Sequence, residues 1–483
     1  MTPKTRSAGL PAALAAAALL CGCSAAGPDY RKPGLEMPVA WKVEAPWREG
    51  KPNDGAPKGP WWLGFNDPQL NQLQDKALAG SPTLAIAGAR LAQARATLTA
   101  ATAAIYPQIG VAARNVRARI TQNRPLSNYA APNFSVTQTD TAGFLTASYE
   151  ADLSGRVQRT IEGARATAEQ SAADFENVRL LLTADLATAY FNLRALDIEL
   201  DVLARSIALQ RRALELAAAR HDLGATSGLD VAQQQALVDS TLTQVDVLKR
   251  TRSLFEHAIA TLTGTPAPLF SLAPEVRLLV PPAVPIGVPS DVLERRPDVA
   301  AAERAMAAAN AQIGVANAAF YPSIFITGTD GQQARRLSLL FDAPSMIWSL
   351  GASLTAPIFD GGRIRANIAN ASAGYEAAVA NYRRVVLTAM QEVEDGITGL
   401  AALERAHAQA LTATRSATRV LDLATSRYEG GVATYLDVIS AQQGLLSSER
   451  LAAQLAGQRL LTAVFLVKAL GGDWEWVKTL ASQ

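Results

Sequence analysis

Three histidines and two cysteines are the side chains in this 483-residue sequence that most often bind metal or act as nucleophiles. His221, His257 and His407 are scattered, with no second ligand at metal spacing, so each reads as a helix-surface residue. The sequence has no G-x-S-x-G elbow, no P-loop and no clustered Cys/His site. Nothing in it supports catalysis, and no metal or dissociable cofactor is expected. Two further pairs, Arg220 with Asp230 and Arg427 with Asp437, recur at identical spacing. Their meaning depends on the elements that carry them.

Both cysteines lie at the start. Lys4 and Arg6 precede an Ala/Leu run from Leu10 to Leu20, which is an n-region and h-region of secretory type. The run ends in Leu20-Cys21-Gly22-Cys23-Ser24. That resembles a bacterial lipobox, with Leu three before the acylated Cys and a small residue directly before it. Cys23 satisfies both places, whereas Cys21 follows Leu20 directly and fits less well. Residues 1–22 are therefore expected to be a lipoprotein signal peptide. Cys23 would carry N-acyl and diacylglycerol lipid (palmitate among the chains), giving attachment without a spanning helix.

Removing the two basic residues of the signal from the total of 45 leaves 43 basic against 43 acidic residues. A neutral chain has no electrostatic footprint for nucleic acid. Beyond the signal there is no run of 18 uncharged apolar residues, so any membrane crossing must use β-strands.

The sequence is one unit written twice. Pro82–Pro107 matches Pro297–Pro322 at an offset of 215, including Tyr106-Pro107 against Tyr321-Pro322. Further on, the offset is 207: Gly155-Arg156 aligns with Gly362-Arg363, and Arg220-x3-Gly224-x4-Leu229-Asp230-Val231 with Arg427-x3-Gly431-x4-Leu436-Asp437-Val438. The expected organisation is an extended N-terminal segment (23–62), a first repeat (63–264), a Pro-rich connector (265–289), a second repeat (290–472) and a tail (473–483).

Each repeat reads as helix, two strands, long helix, tight turn, helix. Leu182, Leu186, Ala189, Leu193, Leu196, Leu200 and Leu203 form a heptad seam. The proline-free stretch from Gly155 to about His221 predicts a helix of roughly 100 Å, repeated from Gly362 to Tyr428. Gly224 and Gly431 suit a left-handed helix cap. Ser227-x-x-Asp230 and Thr434-x-x-Asp437 have capping-box spacing for the next helix, which runs to Gly264 or Gly471. The first helix of each repeat is expected at about 68–105 and 290–320, and the whole as an antiparallel bundle about 100 Å tall.

Period-2 alternation marks strands. Over 144–153, Leu145, Ala147, Tyr149, Ala151 and Leu153 share one face; over 347–359, Trp348, Leu350, Ala352, Leu354, Ala356 and Ile358 do so. Partner strands begin at Gln108 and Ser323. Such segments suit either soluble hairpins or a transmembrane barrel. Four strands are too few to close a barrel and open edges cannot face lipid, so a pore requires three copies and twelve strands.

Several motifs in order resemble the outer-membrane efflux proteins, TolC-like outer-membrane factors and their NodT-like lipoprotein branch. They are Gly27-Pro28-Asp29-Tyr30-x-x-Pro33, Tyr149-Glu150-x-Asp152-Leu153-x-Gly155-Arg156, Pro289-Ser290-Asp291-x-Leu293-x-Arg295-Arg296-Pro297-Asp298, Ala309-Asn310-Ala311-x-Ile313-Gly314-x-Ala316 and Pro357-Ile358-Phe359-x-Gly361-Gly362-Arg363. The resemblance implies a mainly α fold with β. A homotrimeric twelve-stranded transmembrane β-barrel, four strands per chain, would continue into a long α-helical coiled-coil barrel in the periplasm. It implies lipid-facing Leu145, Tyr149, Trp348, Leu350 and Leu354. It also implies a periplasmic tip at Arg220–Asp230 and Arg427–Asp437 that gates the duct and docks a periplasmic adaptor (membrane fusion) protein of an inner-membrane RND-type transporter. The implied function is passive efflux of drugs and toxic compounds (multidrug resistance), in the outer membrane of a Gram-negative bacterium. Many relatives carry an acid one turn beyond Asp437, where this sequence has Ser440, and the departure counts against a carboxylate ring there. Asp230 and Asp437 retain two readings, helix caps first and gate acids second. A protein-export channel of the type I secretion kind and a pore-less coiled-coil scaffold lipoprotein are the competing functions.

Overall fold

The computed structural model describes residues 25–31, 59–123, 134–277, 280–282 and 295–472. Cys21, Cys23, the signal segment, the 473–483 tail and the connector motif at Pro289–Leu293 lie outside the described residues. The helices are α1 (Pro68–Gly80), α2 (Pro82–Thr102), α3 (Arg156–Asp222), α4 (Gly228–Leu262), α5 (Pro297–Ala318), α6 (Arg363–Glu429) and α7 (Tyr435–Ala469). The strands are β1 (Gln108–Ile120), β2 (Val136–Ala151), β3 (Ser323–Ala334) and β4 (Met346–Thr355). Among the described residues no helix is long and apolar enough to cross a membrane.

The chain divides into two compact units. One comprises Met1–Pro33, Leu91–Ser171 and Ala302–Asn381 and holds all four strands. They form a single antiparallel sheet in the order β1-β2-β3-β4. The strands of the two repeats are thus joined directly: Tyr149 pairs with Ile326 and Leu145 with Asp330. Each pairing keeps one constant register with no bulge, from Gln108↔Ser148 to Ile120↔Val136 and from Ser323↔Thr355 to Gln332↔Met346.

Segment 25–31 is clamped in the same unit. Buried Arg159 donates to the carbonyls of Ala26 (3.1 Å) and Gly27 (3.2 Å) and to Asp29 Oδ1 (2.9 Å), and Asn310 donates to Pro28 O at 3.0 Å. Gly27 has φ +92°, and a β-carbon there would stand 2.7 Å from the Cα of Gly314, so both glycines permit backbone contact.

The other unit comprises Gly34–Arg90, Ala172–Ala301 and Tyr382–Gln483. Its core joins Trp61, Trp62 and Phe65 to Leu186, Tyr190, Phe191 and Leu193 of α3, Val393 and Ile397 of α6, and Leu460, Val464, Leu466 and Val467 of α7.

The first helix of repeat one is two helices, not one. It breaks at Ser81, which is extended (φ −70°, ψ 120°) before Pro82, as the residue before proline avoids the helical region. The heptad seam also departs from expectation. Leu196 and Leu200 are only half-buried, while Arg194, Asp197 and Glu199 are buried. Arg194 reaches Asp197 Oδ2 at 2.7 Å, and Arg252 of α4 reaches Oδ1 at 2.6 Å. The two arginines also donate to the carbonyls of Ala273 (2.9 Å) and Leu272 (2.6 Å). The connector is thereby held by charge-assisted bonds that offset the cost of burying the ions.

β2 starts at Val136, eight residues before the expected 144, because Thr137, Gln138, Thr139 and Asp140 make both faces polar and erase the alternation. β4 ends at Thr355, short of 359, where Pro357 brings no N–H to the ladder.

Candidate functional site: an apolar sheet face and paired helix turns

Directly opposed residues of an antiparallel pair share a face, so the bulge-free registers align the rows across all four strands. One face carries Ile109 and Val111 of β1, Leu145, Ala147 and Tyr149 of β2, Ile324 and Ile326 of β3, and Trp348, Leu350 and Leu354 of β4, with exposed Asp330 and half-buried Gln332 of β3 set among them. All five residues expected to face lipid lie on it. Val111, Trp348, Leu350 and Leu354 are 83%, 69%, 75% and 65% exposed, too much apolar surface on one sheet face for water to be its solvent.

The opposite face carries Thr146, Ser148, Glu150, Thr327, Thr329, Ser349 and Ser353. There Arg114 pairs with Asp140 at 2.7 Å, and Gln333 donates to Asp140 Oδ1 at 2.8 Å. β1 and β4 are edges, each hydrogen-bonded on one side only within this chain.

At the junctions, Glu150 and Arg156 form a bidentate pair, and Asp152 accepts from Gln158 N (2.8 Å), capping α3. Asp360 does the same for α6 through Gly362 N (2.9 Å) and Ile364 N (2.8 Å), and these backbone donors hold its carboxyl below the usual range. Tyr106, Phe320, Tyr321 and Phe359 are exposed around these junctions, as an interfacial aromatic girdle requires.

The turns of the second unit are built by backbone geometry. Gly224 and Gly431 have φ +72° and +74°. Ala225 N donates to Arg220 O (2.8 Å) and Gly224 N to His221 O (2.8 Å); Val432 N to Arg427 O and Gly431 N to Tyr428 O repeat this at 3.0 Å each. Both are Schellman closures.

The two aspartates diverge. Asp437 accepts from Thr434 N at 2.9 Å, as the capping box requires. Asp230 does not return to Ser227. It accepts from the Thr226 hydroxyl, while Ser227 Oγ accepts from Leu229 N at 3.1 Å. Among the described residues the Arg220 guanidinium is in no ion pair; it lies over the Tyr428 ring at 5.0 Å, joining the end of α3 to the end of α6. Arg427 and Ser440 are exposed.

Sequence reasoning missed a buried polar cluster beside these turns. Gln234 donates to Gln210 O (2.9 Å) and Gln442 Oε1 (3.2 Å), and accepts from the Tyr435 hydroxyl (3.0 Å). Burial, with Tyr428 and Asp230 nearby, pushes the Tyr435 hydroxyl up to about 12, so it remains a donor. Glutamine at a seam position was the available signal, hidden by an otherwise polar heptad. A cavity of about 450 Å³ opens here, lined by Leu216, Leu421, Tyr428, Tyr435, Val438 and Gln442 among others.

A bulge-free sheet with one apolar face, carried on duplicated long helices, defines a membrane-strand protein with coiled-coil extensions. The chain belongs to the outer membrane efflux protein family, whose model matches residues 73–265 and 288–472. It is 32% identical over 463 residues to the pyoverdine export outer membrane protein OpmQ of Pseudomonas aeruginosa, covering 96% of each chain. It is 31% identical over 465 residues to the outer membrane protein OprJ of the same organism, again covering 96% of each. The solved outer-membrane channel OprN superposes with a TM-score of 0.86 at 29% identity, over 93% of this chain and 100% of that one. The protein is thus an outer-membrane efflux channel component.

Proposed function

We propose that three copies close a twelve-stranded barrel and form the passive exit duct of a tripartite pump, fed by an inner-membrane RND-type transporter through a periplasmic adaptor. The observation that carries this reading is the pair of open edges on a sheet whose outward face is apolar. In lipid an unpaired strand edge leaves backbone donors and acceptors without partners, so β1 of one copy must meet β4 of the next. The proposed tip is the pair of turns at Arg220–Asp230 and Arg427–Asp437, with Gly224, Gly431 and Ser440 among its residues. Leu223, Leu229, Val432 and Leu436, all more than half exposed, give an adaptor an apolar surface to dock on.

Cys23 is proposed to carry the lipid. Ala25, two residues further along the chain, packs against Gly155 at the β2–α3 junction. A duct of this kind performs no catalysis. The cargo is proposed to be small molecules, the relatives' names including pyoverdine export and toluene efflux.

Light scattering of detergent-extracted protein, corrected for bound detergent, tests the assembly, and planar-bilayer conductance tests the pore. A trimer that conducts supports the reading. A monomer returns the chain to a coiled-coil scaffold.

A further inference from the structure

The outward face of the sheet changes character along the strands. Its largely apolar rows, interrupted on β3 by Asp330 and Gln332, run from Ala151–Ile324–Leu354 to Ala113–Gly143–Gln332–Met346. That is eight residues, about 26 Å along the strand and about 20 Å along the membrane normal at the usual barrel tilt. Because the β1–β2 register has no bulge, Arg117 and Arg119 lie on the same outward face as Val111, opposite Thr139 and Thr137. They stand four and six residues beyond the last apolar row, roughly 10 and 15 Å above it along the normal.

β3 ends at Ala334, two strands away or about 10 Å, and Arg335 and Arg336 follow it directly. All four arginines are exposed. Among the described residues none of them is in an ion pair; Arg119 Nε donates to Ser135 Oγ at 3.1 Å. By contrast, Arg114, on the inward face, is paired with Asp140. Beyond Arg336 the loop exposes Leu337 (67%) and Phe341 (86%), an apolar and cationic mixture suited to a lipid surface.

We propose that Arg117, Arg119, Arg335 and Arg336 form a phosphate-binding rim that holds phosphorylated lipid of the outer leaflet against the barrel. The inference rests on the barrel reading above, which sets the strand ends away from the helices on the outer side. Guanidinium groups bind phosphate oxygens bidentately, and Arg117 and Arg119 stand at headgroup height on the outward face, with the exposed Arg335 and Arg336 following the end of β3 nearby, where cations meet anionic lipid. The inward, neutralised Arg114 is excluded by orientation.

The test uses full-length protein in nonionic detergent, incubated with mixed micelles of phosphatidic acid or of phosphatidylcholine, washed, and assayed for retained lipid phosphorus. Wild type is expected to retain phosphatidic acid in preference to phosphatidylcholine. Arg117→Gln/Arg119→Gln combined with Arg335→Gln/Arg336→Gln is expected to retain about tenfold less. Lysine at the four positions should restore most of the retention, and Arg114→Gln should leave it unchanged. Equal retention by the quadruple Gln variant overturns the proposal, as does an equal loss with Arg114→Gln. Displacement of the lipid by millimolar inorganic phosphate would make the rim a free-anion site and overturn it too. Oligomeric state, with conductance, separates the two readings. Trimeric wild type that conducts, with retention indifferent to the substitutions, sinks the rim alone; monomeric wild type sinks the barrel.

Discussion

Leu350→Arg puts the sheet phase under its sharpest test. Leu350 is 75% exposed, opposes Gly328, and occupies the middle of five outward rows, two rows from Leu354 below and two from Met346 above. Two rows are about 13 Å along the strand and about 10 Å along the normal, so Leu350 stands near the bilayer midplane. An outward arginine at that depth costs about 2–4 kcal/mol per chain, and a trimer would carry it three times, about 6–12 kcal/mol. That rivals the folding free energy of a whole domain, about 5–15 kcal/mol. The control is Ser349→Arg, one residue away, opposite Thr329 on the polar face. The assay is the fraction of membrane-extracted protein that migrates as assembled oligomer without heating. Leu350→Arg should fall to a small fraction of wild type while Ser349→Arg assembles normally. Normal assembly of Leu350→Arg with failure of Ser349→Arg would invert the face and refute the argument.

Three further outcomes are expected. Gly224 and Gly264 have nearly equal φ (+72° and +71°), but a β-carbon meets nothing within 4 Å at Gly224 and stands 2.2 Å from Gly80 O at Gly264. Ala at either position should cost about 1–2 kcal/mol for the left-handed backbone, and Gly264→Ala about 1–3 kcal/mol more, measured by urea denaturation. His407 Nδ1 lies 3.2 Å from Arg459 Nη1, which can only donate, so the imidazole is neutral; burial, then Arg459, lowers its pKa from the ordinary 6.5. The unfolded chain therefore takes up this proton more readily. Stability should fall as pH drops below 6.5, and the His407→Gln variant, with Glu404 and Arg459 left in place, should lose part of that dependence in thermal melts at pH 7.5 and 5.5. Finally, Cys23→Ser should abolish palmitate labelling and Cys21→Ser should not; label surviving the Cys23 change would remove that assignment.

Much of this architecture is written locally. The 67-residue helices α3 and α6 follow from proline-free heptads, and their ends follow from glycines that close Schellman turns. The starts of β1 and β3 follow from Tyr-Pro pairs that stop the preceding helices, and the apolar face of β2 and β4 from period-2 alternation. Each is a property of a few consecutive residues, which is why the residue order alone determines them. Folding in three dimensions decided what no local pattern encodes. The β2–β3 pairing that welds the two repeats into one sheet joins residues more than 170 positions apart. The same holds for the register that aligns Val111, Leu145 and Trp348 across three pairings. Arg194, Asp197 and Glu199 are polar letters at the edge of a seam, and only packing against α4, α7 and the connector buries them. Asp230 and Asp437 share one motif yet bind different partners, because Thr226 stands where the second repeat has Ala433. A period reports which face of an element is apolar; what that face meets is settled by contacts distant in the chain.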